Sequence, residues 1–90
     1  MENQHRKITG YRELTQPEID LMNEVKALGV QMEAVLLKVG THVASQRGKT
    51  SASEDRMNNA TPERFLALAQ TEFQTGLMYA TRAVAQPEFF

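Results

Sequence analysis

Thr15-Gln16-Pro17-Glu18-Ile19-Asp20-Leu21-Met22-Asn23-Glu24-Val25-Lys26 is the stretch that decides how this chain folds. The Thr15 hydroxyl can accept from the amide of Glu18, and the Glu18 carboxylate can reach back to the amide of Thr15. Pro17 takes a first-turn position where no donor is lost. Together these open a helix. Downstream, Ile19, Met22, Val25, Met32, Val35, Leu36, Val39 and Val43 recur at helical spacing and make one apolar stripe. The first helix is placed over residues 16–45, roughly 45 Å long at 1.5 Å per residue.

Upstream lies a polar, locally basic arm, residues 1–14, with His5, Arg6, Lys7 and Arg12 around Gly10 and Tyr11. Downstream, residues 46–60 are polar with little periodicity and read as a turn or mobile loop. Thr61-Pro62-Glu63 then repeats the start signal, with Thr61 as N-cap and proline at the first helical position. The second helix is placed over 61–86, with Phe65, Ala69, Phe73, Gly76, Ala80 and Ala83 on one stripe and Pro87 closing it near Ala85. No strand-type alternation and no internal repeat is present. The expected fold is all-α: a single helical-hairpin domain over residues 1–90, two long helices with an N-terminal arm.

The chain has 90 residues and no cysteine, which excludes a disulfide staple and a thiolate metal site. A domain of this size buries only about 60–65% of the surface its unfolded form exposes. Leu28, Val30, Leu37, Leu66, Leu68, Leu77 and Val84 lie off the two stripes, so apolar residues occupy more than one face of each helix. Gly29 and Gly76 sit inside helices, at a cost of about 0.5–1 kcal/mol each, which is tolerated where backbones approach closely. These features point to a homo-oligomer.

Ten basic against eleven acidic residues give a net charge of −1, which argues against a protein that coats polymeric nucleic acid. No apolar run reaches the length of about 18 residues that spans a membrane, and Met1 to Lys7 leads into no signal-peptide core. Cytoplasmic residence is the expectation. His5 and His42 lie on separate elements without partners at ligand spacing, and Glu54-Asp55 reads as a solvated charge pair. Gly48-Lys49-Thr50 matches the end of a phosphate-binding loop, but the residue five positions earlier is Val43 rather than glycine and no strand precedes it. No nucleophile–base constellation can be assembled. The chain does not read as an enzyme, and no cofactor is expected.

Two positions are chemically suggestive. Tyr11 is either a ring stapled over the first turn of the helix or a platform on which a base stacks. Lys26, beside the apolar stripe, is either a lysine snorkelling from the edge of an interface or a compact charge aimed at a phosphate.

His5-Arg6-Lys7-Ile8-Thr9-Gly10-Tyr11-Arg12-Glu13-Leu14 with Glu18-Ile19-Asp20-Leu21-Met22-Asn23-Glu24-Val25-Lys26, and Phe73-Gln74-Thr75-Gly76-Leu77-Met78 with Arg82-Ala83-Val84-Ala85-Gln86-Pro87, resemble the two ends of the phage anti-CBASS cyclic-nucleotide sponges. The resemblance covers about two-thirds of the chain, in order. It implies a small helical protein assembled into a compact homo-oligomer, commonly a hexamer, inside the host bacterial cytoplasm. Such a protein sequesters cyclic dinucleotides and cyclic trinucleotides without catalysis, so that the CBASS effector is never switched on.

For the cyclic dinucleotide, the resemblance implies Tyr11 and Lys26, with Arg12 and Asn23 added by proximity. A two-fold interface would supply each residue twice to a ligand that itself has two bases and two phosphates. For the cyclic trinucleotide it implies Arg64 and Thr71, two turns apart on one face of the second helix. Arg64 also reads as a surface or helix-pairing charge, and Thr71 as a plain helix-face residue. The family's Arg-Trp is here Arg64-Phe65, and its Arg-Thr step is Gln70-Thr71, which removes a guanidinium from the trinucleotide site. A helical protein that docks directly on a host protein is the rival expectation, and a small nucleic-acid binder using the basic arm a third.

Overall fold

The computed structural model describes residues 13–88. Three helices follow in order: α1 (Gln16–Gln46), α2 (Ser51–Ala60) and α3 (Pro62–Ala85). α1 opens as the sequence requires. Glu18 N donates to Thr15 Oγ1 at 3.4 Å, and Thr15 N donates to Glu18 Oε1 at 2.8 Å. α1 and α3 pack along their length, and a Cβ added at Gly29 or Gly40 would lie 3.0 Å from Leu77 or 3.3 Å from Leu66 respectively. Rising along α1 therefore means descending α3. The two long helices form an antiparallel hairpin, drawn out to 63 × 22 × 17 Å.

The seam on α1 runs through Met22, Val25, Gly29, Met32, Leu36, Gly40 and Val43, with Val43 the most enclosed at 8% exposure. Ile19, Val35 and Val39, expected on that stripe, stay 39%, 55% and 41% exposed. On α3 the seam is turned by one residue from the expected one. Leu66, Leu77 and Val84 are half-buried, whereas Phe65, Gly76 and Ala83 face outward. Both candidate stripes share Ala69, Phe73 and Ala80, and the branched aliphatics fill the narrow space against α1 better than a ring or a bare glycine. Gly29 meets Leu77 and so marks a close approach within the hairpin. Gly76 does not, because a Cβ there would meet nothing within 4 Å.

The segment expected as a loop over 46–60 is in large part α2. Thr50 starts it: Ser53 N donates to Thr50 Oγ1 at 3.0 Å, and Thr50 N donates to Ser53 Oγ at 3.1 Å. This is a reciprocal cap with serine in the place where glutamate is usual. Its single large apolar residue, Met57, is only 2% exposed, so the helix is anchored without showing any periodicity. Gly48, at φ 72°, makes the turn before it. Thr61 does not cap α3 with its side chain as expected. It adopts the left-handed conformation (φ 47°, ψ 58°), ending α2 and starting α3 within one residue.

Arg47 ties this corner together. Its Nε and Nη2 donate to the two oxygens of Glu63 at 2.8 and 2.7 Å, while Nη1 donates to Glu54 Oε2 at 3.2 Å and Asn58 Oδ1 at 3.0 Å. Glu54 also accepts the Gly48 amide at 2.7 Å. It is thus a structural acceptor rather than half of a solvated pair, and the carboxylate occupies the amide that a phosphate-binding loop would offer. The Arg47 hydrogen bonds hold the Glu63 carboxyl at about 2, below its ordinary 4.5. A depressed carboxyl stabilises the fold in full above its unfolded value and loses that contribution as pH falls through the folded one. The melting-temperature gap between wild type and Glu63→Gln should therefore shrink between pH 4.5 and 2 and close below that. A gap that stays constant on acidification would show that the pair adds nothing to stability.

Candidate functional site

Beside the α1–α3 seam lies a groove of about 430 Å³, lined from both helices. Lys26 and Glu33 line it from α1, and Gln70 and Gln74 line it from α3. The rest of the lining is apolar: Val30, Met32, Leu36, Leu37, Phe73 and Leu77, with Gly29. Lys26 and Glu33 are seven residues apart, two turns of one helix face, so their heads stand about 10 Å apart along the axis. Val30 and Leu37, also seven apart, fall on the same side. Among the described residues, none of the four polar side chains has a hydrogen-bond or ion-pair partner within the chain. Apolar walls with a few convergent polar groups are the usual make-up of a small-molecule site.

The walls are only partly shielded. Val30 is 66% and Leu37 64% exposed, whereas a bound drug-sized ligand is typically enclosed over about 70–90% of its surface. One chain supplies half of an enclosure. A flat ring laid in the groove would be gripped on one side and bare on the other.

The expected site residues divide as follows. Lys26 lines the groove. Asn23, one turn earlier, is exposed and does not. Tyr11 and Arg12 lie outside the described residues. Arg64 and Thr71 are both exposed on α3 and away from the groove lining. The Arg64 guanidinium sits 5.4 Å from the centroid of the Phe65 ring, a cation–π contact that leaves its N–H groups facing water. The Thr71 hydroxyl donates to Ala67 O at 3.2 Å, so toward a ligand it offers only acceptor lone pairs. Glu33, Gln70, Phe73 and Gln74 were not anticipated as one cluster. For Glu33 the signal is its sevenfold spacing from Lys26, matched by that of Val30 and Leu37, whereas Gln70, Phe73 and Gln74 on α3 carry no such signal.

Among the described residues no group of His, Asp or Glu could hold a metal ion, and no helix is long and apolar enough to cross a membrane.

Comparison with known proteins gives two findings. The family model described as the Acb2/Tad1 hairpin domain matches residues 3–85. Anti-CBASS protein 2 of Pseudomonas phage JBD67 is 42% identical over 106 aligned residues, covering 98% of each chain.

Proposed function

Because the chain belongs to the Acb2/Tad1 hairpin family, we propose that it counters CBASS immunity inside an infected bacterial cell as a non-catalytic sponge, a homo-oligomer that captures cyclic dinucleotides and cyclic trinucleotides intact. The similarity to an anti-CBASS protein over nearly its whole length supports the coarser part of this reading. One structural observation supports the finer part: Lys26, without a partner among the described residues, is set in an apolar groove that one chain leaves half open. An ammonium gives a phosphate its counter-charge, and apolar walls give a base its contact. The open side gives a second copy a reason to be there. Trinucleotides are assigned to the separate Arg64–Thr71 face.

The decisive experiment incubates the pure protein with cyclic dinucleotides and cyclic trinucleotides and measures the heat of binding. The protein is then denatured and the released ligand analysed. Saturable binding in fixed proportion to protomers, with intact ligand recovered, is expected. Linear or cleaved nucleotide would overturn the non-catalytic reading. The absence of any heat, together with a stable complex with a host protein, would favour direct docking instead.

Assembly has its own support. Leu21, Leu28 and Val35 flank the α1 seam on one side at 49–55% exposure, and Val30 and Leu37 flank it on the other. Two apolar flanks on opposite sides give each copy two patches to cover, as a closed ring or a hexamer does and a single two-fold contact does not. Gly76 adds a smooth, outward spot that touches nothing in its own chain. Gly76→Leu should leave helicity unchanged by circular dichroism, because there is room for the side chain, yet shift sedimentation to smaller species. Unaltered sedimentation would place the interface elsewhere.

A further inference from the structure

Glu33 is out of place in a groove meant for an anion. It lines the same cleft as Lys26, and a carboxylate there weakens every phosphate-bearing ligand by like-charge repulsion unless the ligand gives it something to accept. An ionised carboxylate has no donor, only lone pairs on two oxygens. The best partner for it is a flat group presenting two adjacent N–H donors, and among bases that is the Watson–Crick edge of guanine. The corresponding edge of adenine offers one amino donor beside a ring-nitrogen lone pair, which would face the carboxylate unfavourably.

Position agrees with chemistry. Glu33 stands two helical turns, about 10 Å of axis, from Lys26, close to the span from a nucleotide's phosphate to the far edge of its purine. Phe73 and Leu77 lie on the facing helix, able to touch the base between those two ends, while the Gln70 and Gln74 amides can donate and accept and so serve either purine. Among the described residues Glu33 has no hydrogen-bond or ion-pair partner to divert it.

From this we infer that Glu33 is the residue that selects the base, accepting the paired N–H donors of a guanine whose phosphate is held by Lys26. The inference rests on the cyclic-nucleotide reading and names the specificity within it. Cyclic diguanylate and cyclic diadenylate share backbone and charge, so the ratio of their affinities isolates the base edge. Calorimetry with both ligands on wild type, Glu33→Gln and Glu24→Gln provides the test. Glu24→Gln removes the same charge from α1 outside the groove lining.

Glu33→Gln should lower the diguanylate-to-diadenylate affinity ratio about tenfold or more, as loss of a bidentate base contact does, by weakening diguanylate and sparing or strengthening diadenylate. Glu24→Gln should leave the ratio alone. A ratio unchanged in Glu33→Gln, or changed equally in Glu24→Gln, overturns the assignment while wild-type binding preserves the sponge reading. Wild type that binds neither ligand overturns the dinucleotide reading and this inference together.

Discussion

Exchanging Met57 for alanine is expected to cost about 2–5 kcal/mol of folding free energy, the usual range for truncating a buried methionine. For a domain whose whole stability is of the order of 5–15 kcal/mol that is a large share. Met57 is the most enclosed side chain among the described residues, at 2% exposure. The helix that carries it, Ser-Ala-Ser-Glu-Asp-Arg-Met-Asn-Asn-Ala over Ser51–Ala60, has no second apolar anchor of any size. Ten residues are too few to stay helical alone in water, where about 12–15 are needed even for good formers. Losing the thioether should thus loosen the whole corner, and backbone amides of α2 should exchange with solvent sooner than those of α1 and α3. Urea denaturation at a fixed protomer concentration reads the energy, since association makes apparent stability concentration-dependent. A loss below about 1 kcal/mol, the scale of an ordinary surface change, would mean that α2 is held by the Arg47 hydrogen bonds instead.

The second large effect concerns ligand. Lys26→Ala should lower cyclic-dinucleotide affinity by about 10–100-fold for each copy of the lysine in the pocket, the equivalent of one charge-assisted hydrogen bond of about 1.5–3 kcal/mol. Tyr11→Ala should remove a stacking contact of about 1–3 kcal/mol per base. Lys26→Ala should keep wild-type helicity and sedimentation, because Lys26 is exposed and has no partner among the described residues. Trinucleotide binding gives the internal control. It should survive Lys26→Ala and fall with Arg64→Ala. Should Lys26→Ala bind dinucleotides as tightly as wild type, the groove is not their site. Should it lose every ligand together with its sedimentation behaviour, the lysine would belong to assembly rather than recognition.

What the residues declared in advance and what they withheld follow from locality. The Thr15–Glu18 cap, the limits of both long helices and most of the α1 seam are set by neighbours within one turn, and those were legible. The rotation of the α3 seam was not. Phe65, Gly76 and Ala83 have the same spacings as Leu66, Leu77 and Val84 one residue on, and only packing against α1 chooses between them. α2 carries no periodic signal, because its cap uses Ser53 where glutamate is the familiar residue and one methionine makes no period. The charged pair at Glu54-Asp55 looked solvated since its partner, Arg47, comes from the preceding helix end. At the candidate site the lysine could be singled out from α1 alone. Its companions Gln70 and Gln74, more than 40 residues further along the chain, required the register between α1 and α3, which no periodicity encodes.

The joint at Thr61 has a consequence for how such chains can change in length. One residue separates the end of α2 from the start of α3, so a single insertion there would swing every α3 side chain by about 100°, the angular step of a helix. Groove, outer stripe and glycine spot would all be rotated away from their counterparts. The Gly48–Thr50 turn carries no such phase, since several non-helical residues lie between α1 and the next helix. Insertions and deletions accumulated during divergence should therefore gather before Thr50 and spare Thr61, making that threonine the indexing pin of the molecule.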